Sequence, residues 1–231
     1  MNLSPSYTAL LSLAKERIML LDGGMGTMIQ RFNLTEKDFW QHKGNNDILV
    51  LSRPDVIESI HTEYLKAGAD IIETCTFNSN AISQADYGLE GECYKLSKAG
   101  AEVARRAIDA FGGTSRKFVA GSIGPTSKAA GMASKVDDPA SRGITFRELA
   151  NAYQTQIKGL LDGGADILLI ETVFDTLNCK AALYAASLEQ EERGVRVPVM
   201  VSGTISDASG RLLAGQTLEA FWNSVSGYDL F

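Results

Sequence analysis

The sequence predicts an α/β fold, and three observations carry that expectation. Five short apolar runs alternate with helical patterns; parallel neighbours need crossovers of that kind, usually helices. Two of the runs repeat one plan, Gly68-Ala69-Asp70 leading through apolar residues to Glu73-Thr74 and Gly164-Ala165-Asp166 leading to Glu171-Thr172, so each ends on a glutamate at its carboxyl end. Glycines punctuate the predicted helix ends at Gly68, Gly112-Gly113 and Gly163-Gly164, as helix stops require. Five strands and five helices by themselves suit a flavodoxin-like sheet.

A leading helix is expected over 5–16, with Ser4 as cap, Pro5 at the first helical position and Leu10, Leu11 and Leu13 as its apolar side. The first strand, 18–22, is an apolar run without alternation, the pattern of a parallel strand covered on both faces. It ends abruptly in Asp22-Gly23-Gly24-Met25-Gly26, a corner that either delivers chemistry or simply makes a tight strand exit. No lysine follows before Lys37, which excludes a P-loop, and Ile29 stands where a dinucleotide fingerprint needs its third glycine. A long excursion over about 28–52 carries Gly44-Asn45-Asn46-Asp47; loops of that length inside a compact domain are usually functional.

A helix then starts near Pro54-Asp55, with Val56, Ile57, Ile60, Tyr64 and Leu65 at helical spacing. The second strand is 69–74, the second helix about 91–111, and the third strand 118–122. Thr145-Phe146-Arg147-Glu148 is a capping box opening the third helix, in which the threonine and glutamate satisfy the first free amides. Strand four is 167–172, helix four about 176–193, strand five 197–204, and a last helical piece covers about 216–226.

With 231 residues, 45% hydrophobic and 22% charged, the chain buries a full core as one domain. A net charge of −6 without a basic patch argues against nucleic acid as a partner. No apolar run is long enough to span a bilayer, so no membrane partner is expected and the expected location is cytoplasmic. Three widely spaced cysteines, Cys75, Cys93 and Cys179, fit a reducing compartment, and no pair has metal-ligand spacing. Cys93 and Cys179 read as core residues; Cys75, just past strand two, faces the candidate site and has the position of a reactive thiol.

Parallel α/β folds bind ligands at the carboxyl ends of their strands, in open sheets and barrels alike. Asp22, Glu73 and Glu171 therefore converge on one face. Three carboxylates at one mouth suit a cation, an amino group or a metal, or share a proton as an acid-base set. Glu73 is as well placed to cap the following helix.

Five stretches carry a resemblance that covers about residues 15 to 224: Ile18 to Gln30 (IMLLDGGMGTMIQ), Lys43 to Leu51 (KGNNDILVL), Ala67 to Asn78 (AGADIIETCTFN), Gly164 to Ala182 (GADILLIETVFDTLNCKAA) and Ser202 to Asn223 (SGTISDASGRLLAGQTLEAFWN). The chain resembles the homocysteine-binding domain of cobalamin-dependent methionine synthases, a homocysteine S-methyltransferase domain. The resemblance implies a (β/α)8 TIM barrel, here incomplete with about five βα units and strands six to eight missing over 1–231. It implies homocysteine as substrate, its ammonium held by Asp22 and Glu171, its carboxylate by the amides of Gly23, Gly24 and Met25, and Phe77 and Asn78 lining the pocket.

The resemblance also implies zinc, which makes a thiolate of the substrate thiol, and methylcobalamin and folate on separate modules. The family's zinc cysteines lie in Gly-Leu-Asn-Cys and Gly-Gly-Cys-Cys stretches that this sequence lacks. Cys75 is not carried over as a ligand, so no metal ligand is assigned and the chain alone is expected to be inactive. The rival expectation is a non-catalytic amino-acid-binding or interaction module on a five-stranded α/β sheet.

Overall fold

The computed structural model describes residues 1–228 and 230–231. The chain opens with β1 (Asn2–Leu3) and helix α1 (Pro5–Glu16). The Ser4 hydroxyl accepts from the Tyr7 N–H at 3.0 Å, and Pro5 brings no unsatisfied donor to the first turn. Of the three leucines expected on the apolar side, Leu10 is buried but Leu11 is exposed.

Helix α2 (Met25–Ile29) follows the glycine corner, and the long excursion returns through a 3-10 turn at Asn46–Ile48 into α3 (Leu49–Ser52) and α4 (Pro54–Ala67). Gly68 ends α4 at φ +106°, a left-handed conformation that a side chain would strain. Strand β2 (Ile71–Glu73) leads through a turn to α5 (Ala81–Gln84) and α6 (Cys93–Phe111). Strand β3 (Phe118–Ile123) is followed by an antiparallel hairpin, β4 (Ala133–Lys135) and β5 (Asp138–Arg142), which the polar, non-alternating sequence there did not signal. Helix α7 (Phe146–Asp162) carries the expected capping box, with Glu148 N–H donating to Thr145 Oγ1 at 3.2 Å and Thr145 N–H to Glu148 Oε2 at 2.8 Å. Strand β6 (Ile167–Val173), helix α8 (Thr176–Arg193), the short β7 (Val195–Arg196), strand β8 (Val199–Gly203) and helix α9 (Leu218–Val225) complete the described chain.

The main sheet is parallel, in the order β2-β3-β6-β8. Segment 18–22 lies against the outer edge of β2, with Asp70 N–H donating to the Leu20 carbonyl at 2.8 Å and Asp22 N–H to the Ile71 carbonyl at 3.0 Å. Five parallel segments thus stand side by side in chain order. A flavodoxin-like sheet would put the first strand between the second and third, so that alternative is corrected.

The two faces differ. One face of the sheet, including Ile72, Val119, Leu168 and Ile170, packs under the helices in the main core. The other face places Ile71, Phe118, Ala120, Ile167 and Leu169 around Leu10 of α1. Connecting helices on one face and a helix on the other, with parallel strands in chain order, are consistent with part of a TIM-barrel-like domain. The barrel is not closed.

Segment 18–22 is where the sequence expectation needs correcting. A strand buried on both faces was expected, yet only Leu21 bridges to Ile71, and Ile18 is 87%, Leu20 54% and Leu21 44% exposed. An edge segment has a neighbour on one side only, so apolar residues that a closed barrel would cover meet water here.

Asp70 ties this edge to the body. Its carboxylate is buried and takes a bidentate pair from Arg17 at 2.6 and 2.8 Å, the Leu20 N–H at 3.1 Å and Lys117 Nζ at 3.2 Å. The Arg17 hydrogen bonds hold its carboxyl well below the usual range, supported by Leu20 N–H and Lys117. Asp70→Ala is expected to destabilise the chain in urea unfolding, because it leaves the nearly buried Lys117 ammonium and the Leu20 amide without their partner. A carboxylate with a depressed pKa adds stability above its ordinary value of 3.8 and loses it as pH falls further. The Asp70→Ala difference should therefore shrink in acid; a difference independent of pH would contradict the ionic account.

Candidate functional site

The carboxyl ends of the strands open on a cavity of about 460 Å³. On the α1 side the sheet face is apolar, but toward this end it turns polar, with Glu73 of β2, Ser122 of β3 and Glu171 of β6 on the cavity wall. Gly23, Gly24, Met25 and Gly26 line it from the glycine corner, and Thr74, Cys75, Phe77 and Asn78 from the turn after β2. Eight of the residues predicted from sequence are therefore brought together.

Asp22 is not on the wall itself but adjoins it twice, through its neighbour Gly23 and through the Glu73 N–H, which donates to Asp22 Oδ2 at 3.0 Å. Its other oxygen, Oδ1, is buried with no hydrogen-bond partner. A buried acceptor left unpaired is costly unless it is neutralised or meets a donor.

The electrostatics follow from this crowding. Burial pushes the Asp22 carboxyl up to about 7, the Glu171 charge adds to the rise, and the Glu73 N–H offsets part of it. Burial likewise pushes Glu73 up to about 8, reinforced by Glu171 and Asp22. The two carboxyls therefore hold protons near neutrality that a bound cation would expel. Glu73 does not cap the next helix, since Asn80 caps α5 by accepting from Ser83 N–H at 2.9 Å.

The sequence reading passed over Asn46, Asp47, Thr74 and Ser122 as site residues, though all four line the cavity. The signal for two of them lay in the polar Gly44–Asp47 cluster of a long loop. Asp47 is buried, and one of its oxygens accepts from Asn78 N–H at 2.8 Å and Ser79 Oγ at 2.7 Å, which pins the turn carrying Phe77 and Asn78. Burial raises its pKa to about 7 against those two hydrogen bonds. Gly124 packs against the same turn so tightly that a Cβ there would lie 2.6 Å from the Phe77 carbonyl oxygen. Gly124→Ala is accordingly expected to displace Phe77 and lower the melting temperature, a loss of about 2 kcal/mol by the usual scale of overpacking; an unchanged melting temperature would contradict this.

Cys75 does not have the surroundings of a zinc ligand. Cys75 is buried, its Sγ donates to the Asn46 carbonyl at 3.5 Å, and burial together with the Asp47 charge pushes its thiol pKa well up. That is the reverse of what a thiolate ligand or a reactive cysteine needs. Cys93 and Cys179 are buried in packed cores, and among the described residues no three His, Cys, Asp or Glu side chains are placed to hold a metal ion. Among the same residues no helix is long and apolar enough to cross a membrane.

The fold has solved counterparts. The homocysteine methyltransferase MmuM from Escherichia coli matches in its metallated form with a TM-score of 0.74 at 24% identity, over 95% of this chain and 74% of that one. Its oxidized form matches with a TM-score of 0.75 at 25% identity, over 97% and 74%, and its apo form with 0.66 at 23%, over 94% and 70%. A family model described as homocysteine S-methyltransferase matches residues 19–231. The chain belongs to the homocysteine S-methyltransferase family.

Proposed function

We propose that the cavity binds homocysteine for methyl transfer to its sulfur, and that the chain is of the methionine synthase type. The observation that carries the binding proposal is the set of Asp22, Glu73 and Glu171 at one mouth, two of them holding protons near neutrality and one with an unpaired buried oxygen. An ammonium group answers all of these conditions. Gly23, Gly24 and Met25 line the cavity at the corner that opens α2, so their backbone N–H groups are the donors for a carboxylate. Phe77 and Asn78 bound the side chain.

The methionine synthase assignment rests on the five sequence stretches, with methylcobalamin and folate carried by other modules. In this family zinc supplies the thiolate; the donors of this chain do not fit it, so the residues described here bind and orient the amino acid. The same misfit favours a second reading, a binding module that recognises the amino acid without transfer. Incubating the chain with homocysteine, methylcobalamin and zinc separates the two. No methionine above the protein-free rate is expected from this chain alone; methionine formed with one bound zinc per chain would contradict the donor reading and restore a full transferase.

A further inference from the structure

Strand β6 has an irregularity at the site. Ile170 pairs with Val201 and Val173 with Gly203, three steps on β6 against two on β8, so β6 carries one extra residue. Strict alternation would send Ile170 and Val173 to opposite faces, yet both are buried in the helix-side core. The bulge holds Glu171 and Thr172 between them, and Thr172 adopts φ +56°, a left-handed backbone that a β-branched residue rarely takes. Such strain persists only where the surroundings hold it, and it clusters at functional sites.

Both oxygens of the Glu171 carboxylate are engaged. Oε1 accepts a short hydrogen bond from Ser122 Oγ, and Oε2 one from Thr172 Oγ1 at 3.4 Å. Ser122 is itself locked, its N–H donating to Thr74 Oγ1 at 2.9 Å and its carbonyl accepting from Thr76 Oγ1 at 2.8 Å.

We propose that Thr172 is a positioning residue for Glu171: its left-handed backbone forms the bulge that turns the carboxylate to the cavity, and its hydroxyl, opposite Ser122, fixes the orientation in which the carboxylate meets an ammonium. The proposal rests on the amino-acid-binding reading of the cavity. It makes Thr172 a determinant of selectivity for ligands that carry an amine.

The test uses the chain with Thr172→Val, Thr172→Ser and Thr172→Gly, each titrated with L-homocysteine and with the same thiol acid lacking the amine. Thr172→Val keeps the shape without the hydroxyl and is expected to lose about tenfold of the preference for the amine ligand, while Thr172→Ser keeps that preference. Thr172→Gly relieves the backbone, so it should melt higher than the parent and still bind the amine ligand more weakly. A Thr172→Val chain with the parent's preference, or a Thr172→Gly chain that loses stability and both ligands together, would overturn the positioning role. A parent chain with no preference for the amine would overturn the reading of the cavity, and the role of Thr172 with it.

Discussion

Glu171→Gln is expected to weaken L-homocysteine binding by about 100-fold with the melting temperature little changed, and Asp22→Asn to do nearly the same. Glutamine keeps the shape and an oxygen for the Ser122 hydroxyl, so the packing of β6 survives while the charge opposite the ammonium is gone. The loss is large because a charge-assisted hydrogen bond is about twice as strong as a neutral one. Asp22 also carries a buried oxygen, Oδ1, with no hydrogen-bond partner. The double variant should lose less than the sum of the two single losses, because both carboxylates face one cation. Calorimetric titration checks all three chains. Full affinity in Asp22→Asn would remove that residue from the site.

The second large effect is a dependence on pH. Burial chiefly pushes Asp22 up to about 7 and Glu73 up to about 8. A carboxyl with a raised pKa binds a proton in the folded chain that the unfolded chain releases, so the stability it contributes is present at low pH and is lost as pH rises through the folded value. The unliganded chain should therefore lose stability between about pH 4.5 and 8, the ordinary and shifted values of Glu73. Glu73→Gln should flatten that decline.

Ligand binding reverses the balance, since a bound ammonium favours the ionised carboxylates. Homocysteine affinity should rise with pH across 7 to 8, with roughly one proton released per ligand near pH 7.5. Titration in buffers of different ionisation enthalpy counts that proton. A proton taken up on binding, or a count unchanged in Glu73→Gln, would contradict the assignment.

The parts of this site that were legible in the sequence are those set by strand ends. Glu73 and Glu171 stood out because each closes a helix-stop, apolar-strand pattern, and a parallel sheet delivers such residues to one face. The capping box at Thr145 and the helix over 176–193 were legible because their signals are local. The exposure of Leu20 and Leu21 was not, because an apolar run reads as covered whether or not a neighbouring strand exists to cover it. Asp47 was hidden because its role is tertiary: it braces a turn about thirty residues later in the chain, and no spacing rule connects them. The bulge at Glu171-Thr172 ran against propensity, since a threonine after an apolar run argues for regular strand, not a left-handed residue.

The measurement that bears most directly on the central claim is calorimetric titration of the unmodified chain with L-homocysteine near pH 7.5, run in two buffers. One site per chain, with net proton release that vanishes in an Asp22→Asn, Glu73→Gln double variant, is the result the carboxylate-lined cavity predicts. Binding of equal strength and equal proton count in that double variant would place the amino acid somewhere other than this cavity.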